Sequence, residues 1–414
     1  MIQCYIHLLF NALLIHSYLP YEFLCGTISP LVKDGNGDTT DSSNYRAVTL
    51  GPIFAQIFEY ALLKKYGHYL ECDELQFGFK KSHSTSHAIF VLKSTVEYFT
   101  EHGSNVFVTF LDCSKAFDTV SHYGIYLKLM NRGVPLLFLK LVIYWYSNMK
   151  SQCRWGDAYS SYFDCITGTK QGGVLSPIIF TLYMDDLIKV LRKRGTGCHI
   201  LSLFVACLMY ADDLCLLAPT RSAMQQMLDI CSEFCDEYCL SFNVKKSKGL
   251  LFGKLTVDSV SPLFLNEQPI EYVPEWKYLG STIVSGRRLS FSIKPSMRNF
   301  YCSANSVLRS IRRPNDLVLM SLLYSICVPG LTYAAEVIEL SSREMNDCNV
   351  ALNDAIRRIF SYNRWESTRL LRQQLGYSNI TEIFHARRER FIAANRKSGN
   401  SVIKALTILC YSYN

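Results

Sequence analysis

At 414 residues the chain is too long for one ordinary hydrophobic core, so two or three subdomains are expected. A hydrophobic content of 49% with 13% aromatics excludes a disordered chain. The formal charge of +8 is carried by the C-terminal third: residues 286–414 hold 19 Lys and Arg against 9 Asp and Glu, whereas residues 1–285 hold 24 against 26, a pattern that suits a polyanionic partner or a solvated basic face.

Residues 2–18 are apolar and are predicted to form a helix that stops near Pro20. Gln3, His7, Asn11, His16 and Ser17 interrupt the apolar run and no basic segment precedes it. The stretch therefore reads as an amphipathic helix packed on a domain, with no membrane partner. A short strand over 27–33 and a polar turn-rich loop follow, then a helix over 52–69. Lys33 and Arg46 flank that loop. Each is either a surface charge or a contact for a triphosphate, which an ammonium and a guanidinium fork both suit. The loop Gln76-Phe77-Gly78-Phe79 leads into a helix over 84–100.

Residues 106–111, VFVTFL, fit a buried strand that ends at Asp112. A carboxylate at a strand end is either held for chemistry or caps the next turn. Asp118 is expected to cap a helix over 119–132, and a further helix covers 136–149. The glycine-rich turn Gly168-Thr169-Lys170-Gln171-Gly172-Gly173 feeds a helix that begins near Ser176-Pro177. It has neither P-loop nor dinucleotide-fold spacing.

Two segments share the form Tyr-x-Asp-Asp. In Tyr183-Met184-Asp185-Asp186 the surrounding apolar residues recur at helical spacing, so the aspartates sit within a helix and point in different directions. In Tyr210-Ala211-Asp212-Asp213 they lie between two strand-like runs, at a hairpin tip. Two adjacent carboxylates there repel one another unless a cation lies between them, and their hard oxygens suit Mg²⁺. A helix over 221–240 follows. Cys231, Cys235 and Cys239 line one face of it, as a buried stripe and not a metal site. None of the sixteen cysteines has CxxC or zinc-finger spacing, so reduced thiols in an intracellular protein are expected. Then come the lysine-rich turn 243–248, a strand over 249–253, short strands over 262–285 with a turn at Tyr278-Leu279-Gly280, and a helical, basic remainder. Arg287, Arg288, Arg309, Arg312, Arg313, Arg357, Arg358, Arg387, Arg388 and Arg390 stand there among aromatic residues.

Taken together, a strand ending in Asp112, a glycine-rich turn before a helix, the Asp212-Asp213 hairpin and a lysine turn follow the plan of a two-metal polymerase palm. The stretch Phe110-Leu111-Asp112-Cys113-Ser114-Lys115-Ala116-Phe117-Asp118-Thr119-Val120 resembles the first catalytic motif of reverse transcriptases from non-LTR (LINE-type) retrotransposons. Asn44-Tyr45-Arg46 and Gln76-Phe77-Gly78-Phe79 look like their fingers motifs. The segment 168–180 is similar to the nucleotide-pocket motif, Tyr210 to Asp213 to the metal motif, 243–248 to the lysine motif and Tyr278-Leu279-Gly280 to the primer grip. The resemblance runs from about residue 26 to 285 and continues more weakly to about 395.

It implies an α+β, right-hand polymerase: fingers over 1–105, a palm over 106–285 whose antiparallel sheet packs on helices, and a mostly helical basic thumb with a C-terminal extension over 286–414. It implies RNA-directed DNA synthesis from a primer 3′ end with dNTPs on an RNA template and a DNA primer. Two Mg²⁺ ions, with Mn²⁺ as a substitute, would be held by Asp112, Asp212 and Asp213. Phe117 would gate against a ribose 2′-hydroxyl, Gln171 and Gly172 would line the nucleotide pocket, and Lys33 and Arg46 would meet the triphosphate. Lys246 would protonate pyrophosphate, with Lys245 and Lys248 as alternatives. Action in the nucleus is also implied. Against the family pattern, Ala47 stands where proline is usual, and neither an upstream endonuclease domain nor the C-terminal Cys/His cluster of many members is present. The chain thus reads as a truncated copy, with a catalytically idle remnant that still binds nucleic acid as the alternative function.

Overall fold

The computed structural model describes every residue except Asn36, Lys115, 311–314 and 412–414, so Arg312, Arg313 and Lys115 lie outside the described residues. Its N-terminal part runs from helix α1 (Ile2–His16) through strands β1 (Cys25–Val32) and β2 (Tyr45–Leu50) to helices α2 (Ile53–Tyr66) and α3 (Thr85–Glu101). Only Leu13 and Leu14 of α1 are fully buried, while Ile2, Tyr5, Leu8 and Ile15 are exposed. Among the described residues no helix is long and apolar enough to cross a membrane. Helix α3 is buried nearly all round from Ser86 to Val96, as its apolar run IFVLKSTV requires. Its buried Lys93 pairs with Glu339 at 2.7 Å.

The central sheet is built on strand β3 (Val106–Asp112), whose six residues before Asp112 are all buried. Helices α4 (His122–Asn131) and α5 (Leu136–Ser147), strand β4 (Lys150–Trp155), helix α6 (Ser176–Arg194), strands β5 (Cys207–Tyr210) and β6 (Asp213–Ala218), helix α7 (Arg221–Tyr238) and strand β7 (Lys248–Phe252) follow. With β8 (Leu263–Leu265) and β9 (Gln268–Tyr272) the sheet order is β8-β9-β7-β3-β6-β5, and both neighbours of β3 run antiparallel to it. Helices α3 and α7 cover the sheet, because its β-branched and aromatic strands need apolar partners. A smaller sheet joins β1 to β2 antiparallel and to β4 parallel.

Strands β10 (Glu275–Tyr278), β11 (Ser281–Val284) and β12 (Ser290–Ser292) form a meander against the main core. Leu279 and Gly280 both have positive φ, 44° and 87°, as a two-residue turn of type I′ requires. The C-terminal part is helical, with α8 (Lys294–Ser310), α9 (Ser342–Ile359) and α10 (Ile380–Arg396) around a second core that includes Phe300, Met320, Leu352 and Ile380. The last helix, α11 (Ser401–Tyr411), turns back onto α3 and buries Val402, Ile403 and Leu406 in the main core.

Three expectations are corrected. The helix predicted over 119–132 begins only at His122, as α4, after a separate single turn over Ala116–Thr119. Val120 between them accepts the Gly168 N–H at 2.8 Å, and this tertiary bond holds the chain extended there. Ser121, not Asp118, caps α4, accepting from Gly124 N–H at 3.3 Å. In the cysteine stripe, Cys231 and Cys235 are buried as expected, but Cys239 lies past the end of α7 in a left-handed conformation (φ 54°) and is exposed.

Candidate active site

The tip of the β5–β6 hairpin is a two-residue turn, because Tyr210 and Asp213 are cross-strand partners and only Ala211 and Asp212 lie between them. Ala211 has φ 59° and Asp212 does not share the positive sign, the pattern of a type II′ turn, whose first position is normally glycine. An alanine there costs about 1 kcal/mol. The surroundings hold it in place. Gln76, fully buried, accepts the Ala211 N–H at 3.1 Å and the Gly78 N–H at 2.9 Å through one side-chain oxygen. Its amide nitrogen faces the Ala211 carbonyl at a longer 3.4 Å. The backbone beside it pairs with β5: Phe77 N–H donates to Met209 O at 2.8 Å and Met209 N–H to Leu75 O at 2.9 Å. A Cβ on Gly78 would stand 2.4 Å from Ala211 N, so only glycine allows this approach.

Asp213 stands directly opposite Asp112 across the β3–β6 ladder, so the two side chains project from the same face of the sheet. Both line a cleft of about 170 Å³ with Lys246, Trp276, Lys277 and Tyr278. The three carboxylates act on one another. Burial, followed by Asp212 and Asp112, pushes the Asp213 carboxyl up to about 6. Asp212 is also raised by burial and by Asp112, against a hydrogen bond from its own backbone and the charge of Arg46. Lys246 Nζ lies 4.0 Å from Asp112 Oδ2, whereas Lys248 is paired with Glu271 at 2.5 Å. The lysine turn is docked on the end of β3: Asn243 N–H donates to Asp112 O at 2.8 Å, and Ser247 Oγ accepts the Asp112 N–H at 3.3 Å.

The glycine-rich turn is tied to two elements, the Ala116–Thr119 turn and β2. Thr169 N–H donates to Phe117 O at 2.7 Å, Gln171 Nε2 to Asp118 Oδ1 at 3.0 Å, and Thr49 N–H of β2 to Gln171 O at 2.6 Å. Gly172 has φ 114°, and a Cβ there would meet Thr49 O at 2.6 Å. Phe117 is half-buried and stacks on Phe180 with ring centroids 4.5 Å apart. Arg46, on β2, is exposed and close enough to lower the Asp212 carboxyl. Lys33 is exposed at the end of β2's neighbour β1, and it donates to Ser43 O at 2.8 Å in the loop that follows it.

The sequence pattern assigned no individual role to two residues that organise the site. Gln76, quoted only within the Gln76-Phe77-Gly78-Phe79 motif, is one. Glu59 is the other: buried on α2, it accepts the N–H groups of Val174 at 2.5 Å and Leu175 at 2.7 Å, fixing the entry to α6. Burial raises its carboxyl against the pull of those two N–H groups. A charged residue among the buried Ala55, Phe58 and Leu62 of α2 was the available signal.

The donor set suits a hard divalent ion: three carboxylates at one sheet end, two of them raised by mutual repulsion and burial. Among the described residues no three His, Cys, Asp or Glu side chains converge closely enough to hold an ion unaided.

The family model for reverse transcriptase (RNA-dependent DNA polymerase) matches residues 33–283, more than half of the chain. The chain belongs to the reverse transcriptase family. It is similar to the probable RNA-directed DNA polymerase from transposon X-element of Drosophila melanogaster, 28% identical over 87% of this chain and 40% of that protein. It is also similar to the RNA-directed DNA polymerase from mobile element jockey of Drosophila funebris, 25% identical over 86% of this chain and 40% of that protein. The chain thus spans about 40% of the length of these curated relatives, which come from transposons and mobile elements as the motifs imply.

In this member of the family the Tyr183-Met184-Asp185-Asp186 segment is structural, as its helical spacing predicts. Asp185, fully buried on α6, pairs with Arg132 and with Lys189 at 2.8 Å and accepts the Asp73 N–H at 2.5 Å. Asp186 pairs with the buried Lys128 at 2.7 Å. The arginines of the helical part divide into two groups. Arg387 donates to Thr332 O at 2.7 Å and pairs with Glu336 at 3.1 Å, Arg388 reaches Ile338 O at 3.1 Å, and Arg357 pairs with Asp354 at 2.8 Å, so these brace the lobe. Arg287, Arg288 and Arg309 are exposed.

Proposed function

We propose that this chain is the polymerase portion of a retrotransposon reverse transcriptase. It would extend a DNA primer 3′ end with dNTPs on an RNA template. The observation that carries the reading is the cross-strand pairing of Asp112 with Asp213 at one end of the central sheet, with Asp212 in the adjoining turn and Lys246 4.0 Å from Asp112. Residues 1–105 serve as fingers, 106–285 as palm, and 286–414 as a basic thumb with a C-terminal extension.

Asp112, Asp212 and Asp213 would hold two Mg²⁺ ions, or Mn²⁺ in their place. Bound there, the ions supply a more acidic 3′-hydroxyl and charge neutralisation at the triphosphate. Arg46 would pair with the triphosphate, close to the carboxylates it already influences. Lys33 would add a second positive charge along the same β1–β2 edge. Gln171 and Gly172 would form the floor beneath the incoming base and sugar, and the half-buried Phe117 ring, fixed by Phe180, would exclude a 2′-hydroxyl. Lys246 is the candidate to protonate the departing pyrophosphate, because it reaches Asp112 while Lys248 is engaged with Glu271. The meander turn at Leu279 and Gly280 would support the primer end, and the exposed arginines would follow the duplex phosphates without reading sequence.

The test is extension of oligo(dT) on poly(rA) by the purified chain, with Asp212→Asn as control. Mg²⁺-dependent extension that disappears in the control supports the reading. No extension by the unaltered chain refutes it for this chain.

A further inference from the structure

We infer that Gln76 is a positioning residue for the metal carboxylates: its side-chain amide fixes the strained Ala211–Asp212 turn, and the buried Asp185 anchors the loop that carries it. This rests on the reading of Asp112, Asp212 and Asp213 as metal carboxylates.

Three observations meet here. First, the turn is not self-sufficient, since Ala211 occupies a left-handed conformation that an alanine disfavours. Second, Gln76 is matched to that turn. One oxygen accepts from both Ala211 N–H and Gly78 N–H, which fixes the orientation of the amide and aims its nitrogen at the Ala211 carbonyl. Gln76 is separated from Ala211 by 135 residues, so the contact is purely tertiary. Third, the loop is pinned at its base. Asp185 accepts the Asp73 N–H at 2.5 Å, and the Asp73 carboxylate pairs with Arg192 and accepts the Leu75 N–H at 3.0 Å. Lys80 donates to Cys72 O at 2.7 Å and Asp73 O at 2.5 Å. The structural Tyr-x-Asp-Asp on α6 thus supports the loop that holds the hairpin Tyr-x-Asp-Asp. A turn held in one conformation keeps Asp212 and Asp213 placed before an ion arrives, which strengthens ion binding without a direct contact.

The experiment measures Mn²⁺ binding by EPR titration, the Mg²⁺ midpoint of primer extension and thermal unfolding, all on the full chain. Gln76→Met keeps the side chain's length and removes its hydrogen bonds. Gln225→Met is the control, because Gln225 on α7 likewise accepts from Phe264 N–H at 2.9 Å and donates to Phe264 O at 2.9 Å, away from the carboxylates. Gln76→Met is expected to weaken Mn²⁺ binding and raise the Mg²⁺ midpoint by about tenfold each, with the KM for dNTP within about twofold. Gln225→Met is expected to lower the unfolding temperature and move neither metal quantity. Unchanged Mn²⁺ affinity in folded Gln76→Met overturns the inference. If that variant does not fold, Gln76→Asn, one methylene too short to reach Ala211, carries the same expectation and the same refutation. An unaltered chain that binds Mn²⁺ but does not extend a primer refutes the polymerase proposal alone; one that binds no Mn²⁺ refutes the metal reading and this inference with it.

Discussion

Asp213 lies directly opposite Asp112 across the β3–β6 ladder, while Asp212 sits in the turn between the strands. Like charges placed cross-strand are destabilising unless something is bound between them, so the metal-free protein carries a cost at this sheet end. Burial and its two neighbours raise the Asp213 carboxyl to about 6, above its ordinary value of 3.8. A group raised in the folded state favours folding at low pH and loses that contribution as pH rises through about 6. Metal-free protein should therefore gain stability from this group as pH falls from 7 towards 4. Asp213→Asn should raise the stability at pH 7.5, by about 1 kcal/mol once the exposure of the side chain is allowed for, and flatten that part of the pH profile. Urea unfolding in EDTA across pH measures both.

Removal of a carboxylate should have opposite consequences at the two Tyr-x-Asp-Asp segments. Asp212→Asn should abolish Mg²⁺-dependent extension without lowering the unfolding temperature. Asp186→Asn leaves Lys128, 5% exposed, without its ion-pair partner, over the faces of Tyr238, Tyr183 and Phe234. Stability should fall by about 2 kcal/mol while the Mg²⁺ midpoint of the folded fraction stays unchanged. Thermal unfolding and metal titration on the two variants separate the roles.

Phe117→Val should relax sugar discrimination. The ring is fixed by Phe180 at 4.5 Å, and shortening it opens the space a 2′-hydroxyl needs. Single-nucleotide extension should show the preference for dNTP over rNTP falling by at least about tenfold, with dNTP incorporation less affected.

Arginines of the helical lobe should divide by what they touch. Arg309→Ala, at an exposed position on α8, should weaken RNA/DNA duplex binding equally across sequences and reduce the salt slope by about 1. Arg387→Ala removes a partner of Thr332 O and Glu336, so it should lower the unfolding temperature and leave the slope unchanged. Filter binding over a salt series distinguishes them.

Periodicity made the elements legible. The β-branched run before Asp112, the helical spacing through Asp185 and Asp186, and the paired apolar runs around Ala211 each follow from local side-chain pattern, and the structure has β3, α6 and the β5–β6 hairpin there. Local pattern failed where a distant bond overrode it. Val120 is drawn out of a helix by Gly168, and Asp118, read as a cap, instead receives Gln171 Nε2. The basic C-terminal third was visible as composition, but not that Arg387 and Arg388 are committed to Glu336 and Glu339.

By itself the sequence singled out the residues proposed to carry the chemistry. Carboxylates at strand ends, glycines at a tight turn and lysines after a hairpin are set by short-range sterics and charge. Only the tertiary structure decided how they are held. The register that faces Asp213 to Asp112, the Gln76 amide on the Ala211 turn, and the Glu59 carboxylate on the α6 entry join segments 101 to 135 positions apart. Hydrogen bonds of that separation leave no period in the chain, because they are fixed by how sheet and helices pack and not by any neighbouring residue.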